Sequence, residues 1–565
     1  MKPLNERFIR EEYDASGVLT RAELVCPEQF CFARDVVDAI AERDPDRRAM
    51  LWLNPQGDEF TFTFADMKRM SDKAANWLVS QGIRKGDRVL VVLRRHYQFW
   101  FAALALSKIG AVMVPATFML KEHDLMYRVR AAGISAIIAT SVGTFADVAD
   151  AVCDELAQAG EAVPTRIMVA ACALDGEPEG KPLSLHCARE GWTDFNEGVS
   201  AASEAFSGPE IRIDEPMLMY FSSGTSGEPK MVLHNGRYAL AHLLTAKHWH
   251  GARPGGLHFT IADTGWGKAV WGKFYGQWLM ESAVLTYDFD RFAAEEILGL
   301  IERCGVTTFC CPPTMYRMMM GADVDAYDLS SLEHCTTAGE ALNPDLFDFW
   351  LAHTGQKIYE GFGQTETPLT VANLLNTEPK PGSMGRALPL YRVAVLREDD
   401  SPCNPGETGE ICVALEGDAP GIMAEYYRDT ERTAAAKHDG WYHTGDTAWK
   451  DEDGYFWYVG RNDDVIKSSG YRIGPFEIES VLLEHPAVRE CAVIGVPDAL
   501  RGAIVKAFVV PEEGTQADEA LTKELQRWVK ERTAPYKYPR QIAYVDALPR
   551  TTNGKIRRAA LRQAT

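Results

Sequence analysis

The chain has 565 residues, more than one hydrophobic core usually accommodates, so more than one domain is expected. Hydrophobic residues make up 46% and charged residues 25% of the sequence, as in ordinary soluble proteins, and no apolar run approaches the roughly 18 residues of a membrane-spanning helix. The formal net charge of -21 repels phosphate backbones, which excludes nucleic acid as an expected partner and means that an anionic nucleotide needs local cations or N–H donors.

Helical and strand patterns alternate through most of the chain. From Thr63 to Gln81 apolar residues recur at helical spacing, and Gly82 stands where that helix should stop. Arg88 to Leu93 predicts a buried strand, and shorter apolar runs at Ala111–Val114 and Ala136–Ile138 predict two more. This alternation predicts layered α/β structure with much parallel sheet.

The C-terminal region has a different texture. Two strand patterns, Glu490–Val496 and Ile504–Val510, precede one amphipathic helix, and Pro535 follows that helix. The apolar face of the helix carries Leu521, Leu525, Trp528 and Val529. This region therefore predicts a small α+β domain, and the polar, glycine-led segment Gly460–Asp464 before it is typical of a hinge.

The N-terminus and the cysteines carry no signal for export or for disulfides. Residues 1–7 are polar and lead into Glu11-Glu12 without an apolar stretch, so a cytoplasmic location is expected. The 12 cysteines are scattered, and the adjacent pair Cys310-Cys311 lacks the Cys-x-x-Cys spacing of a zinc knuckle. We expect the cysteines to be small buried residues.

The most informative segment in the sequence is a run rich in serine, threonine and glycine that ends in lysine. It reads Tyr220-Phe221-Ser222-Ser223-Gly224-Thr225-Ser226-Gly227-Glu228-Pro229-Lys230. Its small residues allow the backbone to approach phosphate oxygens, its hydroxyl and N–H groups donate hydrogen bonds, and Lys230 adds positive charge. It is not a Walker A loop, because Glu228-Pro229 separate Gly227 from Lys230. For such a run considered alone, a flexible surface turn is the alternative.

Four further segments follow it in a fixed order. They are Tyr359-Glu360-Gly361-Phe362-Gly363-Gln364-Thr365-Glu366-Thr367, Trp441-Tyr442-His443-Thr444-Gly445-Asp446, Gly460-Arg461-Asn462-Asp463-Asp464 and Pro549-Arg550-Thr551-Thr552-Asn553-Gly554-Lys555. Together the five motifs resemble those of the acyl-adenylate-forming (AMP-binding) superfamily. Within that superfamily, the resemblance is strongest to medium-chain acyl-CoA synthetases. Two further segments carry it, Ala262-Asp263-Thr264-Gly265-Trp266 and Ala534-Pro535-Tyr536-Lys537-Tyr538-Pro539.

The resemblance implies an α/β fold in two parts. A large N-terminal domain of layered α/β sheets with several subdomains would span residues 1–459 and hold ATP and the acid. A hinge would span 460–464, and a small mobile α+β domain would span 465–565 and carry the catalytic lysine and the CoA contacts.

The resemblance also implies roles at the phosphates. Lys555 would be the catalytic lysine, an ammonium on a flexible stem that suits the charge shared by the α-phosphate and the attacking carboxylate. Glu366 would bind Mg²⁺, which prefers carboxylate and phosphate oxygens. Thr365 and Thr225 would place hydroxyl groups on the phosphates. The other implied ATP-binding residues are Ser222, Ser223, Gly224, Ser226, Gly227, Glu228, Pro229, Lys230, Gly361, Phe362, Gly363 and Gln364.

A separate set of residues is implied for the nucleoside. Asp446 resembles the ribose-binding aspartate, which accepts hydrogen bonds from both hydroxyls, and Arg461 would add a donor nearby. Glu360, with Gly339, Glu340 and Ala341, would line the adenine. Outside this family context Asp446 is better interpreted as a turn residue that follows a glycine.

Transfer to CoA requires a different geometry, because the thiol must reach the carbonyl from the side that Lys555 occupied first. The resemblance implies rotation about Asp463, which brings a second loop to the site. The implied CoA-contacting residues are Ser469, Gly470, Tyr471, Arg472, Arg501, Lys530 and Tyr538. For Arg501 and Lys530, a solvated surface charge is an equal alternative.

Gly363 and Trp266 define the implied acyl pocket. Acetate-specific relatives resemble one another in carrying a tryptophan before the motif glutamine, whereas Gly363 leaves that space open. Trp266 would form a wall or floor, while Trp271 and Trp278 would only pack the core. The expected substrate is therefore a medium-chain, branched or aromatic acid rather than acetate.

The expected function is that of an AMP-forming carboxylic acid–CoA ligase with Mg²⁺ as cofactor and ATP and CoA as co-substrates. Two alternatives stay open: transfer of the acyl group to a different acceptor, and a catalytically silent sensor of nucleotide or acyl-CoA. The segment around Lys555 resembles the context in which lysine acetylation silences such enzymes. A protein acetyltransferase or deacetylase acting on Lys555 and a second copy of the chain are therefore candidate partners.

Overall fold

A computed structural model of the chain describes residues 3–170, 182–222, 228–340, 342–416, 419–462, 464–468, 471–498, 501–534, 536–550 and 556–563. Within these residues three sheets form the larger, N-terminal part and two smaller sheets form the C-terminal part. A short antiparallel hairpin of Ile9–Tyr13 and Leu19–Leu24 precedes them. None of the described helices is both long and apolar enough to cross a membrane.

The first sheet is parallel at its centre and antiparallel at one edge. The two strands Pro216–Ser222 and Lys230–Asn235 form the antiparallel hairpin that flanks the glycine-rich loop. Across the sheet the strands are ordered Glu425–Tyr426, Lys230–Asn235, Pro216–Ser222, Val112–Pro115, Arg88–Val92, Ile134–Thr140, Thr165–Val169 and Thr193–Asp194.

The second sheet repeats this plan. Its central strands are parallel, and the strand Ile358–Gly363 turns back antiparallel into Leu369–Ala372. Across the sheet the strands are ordered Arg386–Ala387, Leu369–Ala372, Ile358–Gly363, His334–Ala338, Thr308–Cys310, Leu257–Thr260, Ala283–Tyr287, Arg48–Leu53 and Glu59–Thr63.

The third sheet is antiparallel and is built on the long strand Trp441–Lys450. That strand pairs with Thr408–Ala414, Lys437–His438 and Phe456–Arg461, and Val393–Leu396 extends the sheet at the far side. One continuous hydrophobic core includes Leu218 of the first sheet, Val371 of the second and Ile411 of the third. The three sheets that carry these loops are therefore packed on one shared hydrophobic core.

The C-terminal part has its own sheets and its own cores. Ile466–Ser468 pairs with Tyr471–Ile473, while Val488–Asp498, Gly502–Pro511 and Gln541–Tyr544 form a second sheet. Val493, Val509 and Leu525 belong to a core cluster separate from that of the first three sheets. This confirms the predicted fold class, in which a large layered α/β domain precedes a small α+β domain.

Helices cover the sheets and connect their strands. The helix predicted from Thr63 runs over Phe64–Ser80, and Thr63 and Asp66 form a reciprocal capping box at its start. Gly82 follows it with a φ of 94°, which L-residues rarely adopt. The α-helices are Ala39–Arg43, Phe64–Ser80, Gln98–Ile109, Glu122–Ala132, Phe145–Gln158, Phe195–Ala201, Gly236–Leu244, Gly267–Gly272, Tyr275–Leu279, Ala294–Cys304, Pro313–Met319, Pro344–Thr354, Thr430–Ala436, Pro475–Leu483, Glu519–Arg532 and Arg558–Gln563.

Candidate active site

The strand hairpin of the first sheet supports the predicted phosphate loop. Ser222, the last residue of its strand, lies opposite Lys230, the first residue of the next. Glu228 is exposed, and the carbonyl oxygen of Pro229 accepts a hydrogen bond of 3.1 Å from the Tyr127 hydroxyl. Both ends of the loop are thus held by regular structure, which suits a loop that must present its backbone to a phosphate.

The segment after the strand Ile358–Gly363 places Glu366 against the first sheet. The Glu366 carboxylate is buried, and its Oε1 lies 3.4 Å from Lys230 Nζ. The Tyr426 hydroxyl donates to the same oxygen over 2.9 Å and accepts from Lys230 Nζ over 3.1 Å. A carboxylate, an ammonium and a hydroxyl therefore meet at one point.

Burial and charge keep the Tyr426 hydroxyl protonated. Burial and the adjacent Glu366 carboxylate raise the pKa of Tyr426 well above its usual value, so its hydroxyl remains a donor. A carboxylate is the oxygen donor that Mg²⁺ prefers, and Glu366 lies beside the predicted phosphate-binding residue Lys230, so it fits the ion that its motif implies. Lys230 meanwhile balances the negative charge of the carboxylate.

The backbone of Thr365, next to Glu366, is held by a hydrogen bond from a buried histidine. His234 Nε2 lies 2.8 Å from the Thr365 carbonyl oxygen, which can only accept, so Nε2 carries the proton. Burial lowers the pKa of His234 to about 4, which keeps the ring neutral. The peptide that carries the predicted phosphate-contacting hydroxyl is therefore tied to the strand Lys230–Asn235.

Gln364 links the second sheet to Asp446 in the third. Its Nε2 donates to Asp446 Oδ2 and, over 2.7 Å, to the Thr444 carbonyl oxygen. Its Oε1 accepts from the Tyr442 hydroxyl over 2.7 Å. Asp446 Oδ1 accepts from the Tyr458 hydroxyl over 3.0 Å. The predicted ribose-binding carboxylate thus accepts a hydrogen bond at each of its two oxygens.

Arg461 lies directly opposite Asp446 in the pairing of the third sheet with the strand Phe456–Arg461. Its charge acts on three tyrosines around the site, lowering the pKa values of Tyr426, Tyr442 and Tyr458, although burial has the larger effect and raises all three. The predicted neighbours Asp446 and Arg461 are therefore brought together with Glu366 and Gln364 on one side of the three-sheet junction.

The predicted adenine-lining residues Gly339, Glu340 and Glu360 lie on the second sheet and the loop that follows one of its strands. Glu360 is 3% exposed, and its Oε2 accepts a hydrogen bond of 3.2 Å from the Leu342 backbone N–H. Burial raises the pKa of Glu360 to about 8, so the carboxyl is largely protonated at neutral pH. Gly339 has a φ of 97°, and Glu340 is exposed and accepts from the Thr314 hydroxyl over 2.7 Å. Glu360 thus ties its strand to the loop that follows Gly339.

Gly363 is closely packed in the direction that a side chain would take. A Cβ atom at this position would lie 2.3 Å from the Pro368 carbonyl oxygen and 2.5 Å from Trp271 Cη2. Trp271 is 7% exposed, and its Nε1 donates to the Tyr238 hydroxyl over 3.0 Å. Trp271 therefore lies directly against Gly363, and it also belongs to the hydrophobic core that the three sheets share. Trp266 is half-buried at the start of the helix Gly267–Gly272.

The predicted CoA-contacting residues lie in the C-terminal domain. Lys530, on the helix Glu519–Arg532, has its Nζ 5.7 Å from the centre of the Tyr538 ring, so these two residues are brought together. Arg501 lies at the turn between two long strands, where its N–H donates to Asp498 over 2.9 Å. Tyr471 and Arg472 belong to the strand Tyr471–Ile473.

Several predicted site residues lie outside the described residues. They are Ser223, Gly224, Thr225, Ser226, Gly227, Ala341, Asp463, Ser469, Gly470 and Lys555. The side chains of Tyr471 and Arg472 lie outside the description as well. The roles of these residues remain predictions.

Three tyrosines that contact predicted site residues were assigned no role from sequence, and Trp271 was assigned only to the core. Tyr426, Tyr442 and Tyr458 contact Glu366, Gln364 and Asp446 respectively through their hydroxyls. Tyr442 stands inside a recognised motif, so that motif could have suggested it. Tyr426, Tyr458 and Trp271 reach the site only through strand pairing and packing between distant segments, which no local pattern predicts.

Comparison with known proteins identifies both parts of the chain. Residues 37–427 match the family model described as AMP-binding enzyme, and residues 477–555 match AMP-binding enzyme C-terminal domain. Human mitochondrial acyl-coenzyme A synthetase ACSM5 is 39% identical over 547 residues, covering 95% of this chain and 90% of the relative.

Solved structures agree with the sequence relatives. The anthranilate CoA ligase AuaEII in complex with anthranoyl-AMP has a TM-score of 0.83 at 26% identity, covering 95% of this chain and 98% of that one. A benzoate CoA ligase from Burkholderia xenovorans LB400 has a TM-score of 0.78 at 26% identity, covering 94% and 100%. The three-sheet junction around Glu366 and Asp446, the two family matches and these relatives agree: the chain belongs to the AMP-binding enzyme family.

Proposed function

We propose that this protein is an ATP-dependent carboxylic acid–CoA ligase that forms AMP. The observation that carries the proposal is the meeting of three separate motifs, where Lys230 and Tyr426 contact Glu366 while Gln364 contacts Asp446. Support also comes from relatives named as an acyl-coenzyme A synthetase, an anthranilate CoA ligase and a benzoate CoA ligase.

In the proposed first step, a carboxylate oxygen of the acid attacks the α-phosphorus of ATP, and the bond to the bridging oxygen of pyrophosphate breaks. The site must then stabilise negative charge on the transferred group and the leaving group. Lys230 would contribute its ammonium near the phosphates, and Glu366 would hold the Mg²⁺ that accompanies ATP and neutralises its phosphate charge. Lys555 would neutralise charge between the acid and the α-phosphate.

Nucleoside recognition would fall to the residues of the third sheet. Asp446 would accept hydrogen bonds from the two ribose hydroxyls, and Arg461 would donate nearby. Glu360, which is largely neutral at pH 7, would hold the adenine wall in place without placing a full negative charge beside the base. Thr365 would direct its hydroxyl to the α-phosphate.

In the proposed second step, the CoA thiol attacks the acyl carbonyl, the bond to the phosphate oxygen breaks, and AMP leaves. We propose that residues 460–464 act as the hinge between an N-terminal domain, 1–459, and a C-terminal domain, 465–565. Asp464 is bound by Arg562 and lies 3.8 Å from Arg558, both on the helix that follows the lysine motif. A rotation at Asp463 would therefore carry that helix, and the segment before it, as one unit.

We further propose that the acid is larger than acetate, of medium chain length, branched or aromatic. The relatives named for anthranilate and benzoate support an aromatic or similarly bulky acid. Trp271, which fills the space beside Gly363, would then form the floor of the acyl pocket and limit the length of a straight chain.

The experiment is ATP-dependent pyrophosphate release with Mg²⁺, measured with and without CoA, across acids from acetate to decanoate with branched and aromatic acids included. The expected result is turnover that needs CoA, yields acyl-CoA and AMP, and peaks above acetate. Pyrophosphate release without an acyl-CoA product would favour another acyl acceptor. An absence of release with every acid, while AMP still binds, would favour a silent sensor.

A further inference from the structure

A group of metal-ligating side chains lies on the third sheet, away from the Glu366 cluster. His443, on the strand Trp441–Lys450, is at its centre, with a side chain that is 11% exposed. On one side its Nδ1 lies 3.4 Å from Glu410 Oε2, and on the other its Nε2 lies 4.0 Å from Asp400 Oδ1. His438 stacks on it with ring centres 3.8 Å apart.

The hydrogen bonds around Glu410 determine which ring nitrogen of His443 carries the lone pair. Glu410 Oε1 accepts from the Gly445 backbone N–H over 2.7 Å, which anchors the carboxylate. Glu410 Oε2 then accepts from Nδ1 of His443, so in the neutral ring Nε2 has no proton and presents a lone pair. A carboxylate that orients an imidazole in this way is the arrangement found behind histidine ligands of zinc.

The lone pair on Nε2 faces a second electron-pair donor. His443 Nε2 is buried and has no hydrogen-bond partner among the described residues, and it lies 4.0 Å from the Asp400 carboxylate. Two acceptors facing each other repel unless a cation lies between them. A metal ion bound by both groups would remove that repulsion.

Geometry and chemistry favour a metal ion with nitrogen and oxygen ligands. Asp400, His438 and His443 each offer a ligand atom, and these atoms all lie within 4.8 Å of one another. Tetrahedral Zn²⁺ with bonds of about 2.0–2.1 Å needs ligand atoms about 3.3 Å apart. His438 is 42% exposed, so its ring can swing out of the stack to close the difference.

A second ligand group shares His443 but is less suitable. Glu410, Cys412 and His443 Nδ1 also lie within 4.8 Å of one another. Using them would break the bond from His443 to Glu410 and would require a thiolate at Cys412, which is buried. The more exposed group also gives an ion access from solvent.

We propose that Asp400, His438 and His443 form a binding site for Zn²⁺, with Glu410 holding His443 in the ligating tautomer. The site lies three residues before Asp446 on the same strand, and Glu410 binds the intervening Gly445. An ion bound here would brace the strand that carries the proposed ribose-binding carboxylate. The proposal concerns metal binding and does not depend on the acyl-CoA ligase activity.

The test is titration of the chelator-treated full-length protein with Zn²⁺ alone, in competition with a chromophoric chelator at neutral pH. The variants are His438→Gln, Asp400→Asn and Cys412→Ser. The matched control is His353→Gln, because His353 Nδ1 pairs with Asp325 over 2.9 Å but belongs to no three-ligand group among the described residues. Co²⁺ alone, whose visible absorption reports its ligands, provides a second readout.

We expect one saturable Zn²⁺ site per chain, weakened about tenfold or more by His438→Gln and by Asp400→Asn and unchanged by His353→Gln. The Co²⁺ spectrum should lack thiolate charge transfer and should be unchanged in Cys412→Ser. Absence of a saturable site, or affinity that is the same in the His438 and control variants, would overturn the proposal. Loss of binding only in Cys412→Ser would overturn this choice of ligands.

Discussion

Replacing Tyr426 with phenylalanine removes one oxygen atom from the Glu366 cluster and leaves the buried ring in place. That hydroxyl donates to Glu366 Oε1 over 2.9 Å and accepts from Lys230 Nζ over 3.1 Å. It therefore orients both charged groups that the proposed function assigns to MgATP. We expect Tyr426→Phe to bind and use MgATP more weakly while the binding of the acid is little affected.

The size of the effect follows from the two contacts. A hydrogen bond to a charged group contributes about 1.5–3 kcal/mol, and Lys230 stays within reach of Glu366 when the hydroxyl is gone. The expected loss of transition-state stabilisation is therefore near one such bond, which corresponds to a decrease of about 10- to 100-fold in kcat/KM for MgATP.

The assay is initial-rate pyrophosphate release with varied MgATP at saturating acid and CoA, together with calorimetric titration of MgATP. Tyr427→Phe is the matched control, because Tyr427 is the next residue and its ring contacts Arg428 instead of the site. The melting temperature of both variants is measured to exclude global unfolding. If the two variants have the same kcat/KM within about twofold, the hydroxyl does not position Glu366 and the reasoning is refuted.

Three further outcomes follow from the packing and the pKa values. Trp271→Ala should open the space beside Gly363 and raise kcat/KM for long relative to short acids by about fourfold for each methylene admitted, and an unchanged chain-length profile would remove Trp271 from the pocket. Burial raises the pKa of Glu360 from 4.5 to about 8, so between these pH values the folded protein holds a proton that the unfolded chain has released. The free energy of unfolding should therefore fall by about 1.4 kcal/mol for each pH unit as pH rises through this range. Urea unfolding of Glu360→Gln should lack this decline, and parallel pH profiles in the two proteins would contradict it. For Glu11, burial raises the pKa, but hydrogen bonds from His248 and Lys247 outweigh burial and lower the pKa to about 2. The ionised carboxylate therefore stabilises the fold above about pH 4.5, and this stabilisation is lost as pH falls toward 2. Glu11→Gln should accelerate proteolysis of the N-terminal hairpin at pH 7 by about tenfold but not near pH 2, and equal acceleration at both pH values would contradict this assignment.

Sequence patterns predicted the elements whose causes are local. The helix Phe64–Ser80 follows from helical spacing and from a capping box at Thr63, and the helix Glu519–Arg532 follows from its apolar face. The strand predicted at Glu490–Val496 lies inside Val488–Asp498. In each case the signal and its physical cause lie within one stretch of chain, so no tertiary information was needed.

The environment of the site depends on contacts that sequence does not encode locally. Tyr426 reaches Glu366 across 60 positions, because its strand Glu425–Tyr426 pairs with Lys230–Asn235. The packing around Gly363 depends on distant segments in the same way. A missing side chain leaves space only if no neighbour enters it, and Trp271 does so from another segment.

Gln364 connects two distant motifs that the proposed function assigns to one nucleotide site. Its amide nitrogen bonds Asp446 and its amide oxygen bonds Tyr442, so a single side chain fixes the second sheet against the third. Tyr458 completes the arrangement by donating to the other oxygen of Asp446 over 3.0 Å. A carboxylate held at both oxygens loses little further freedom when a ligand binds, so more of the hydrogen-bond energy from a ribose would appear as affinity. The same contacts explain how a chain with a net charge of -21 accommodates a buried carboxylate that the proposed function assigns to a nucleotide: hydroxyl and amide groups donate to it, and Arg461 lies opposite it in the sheet.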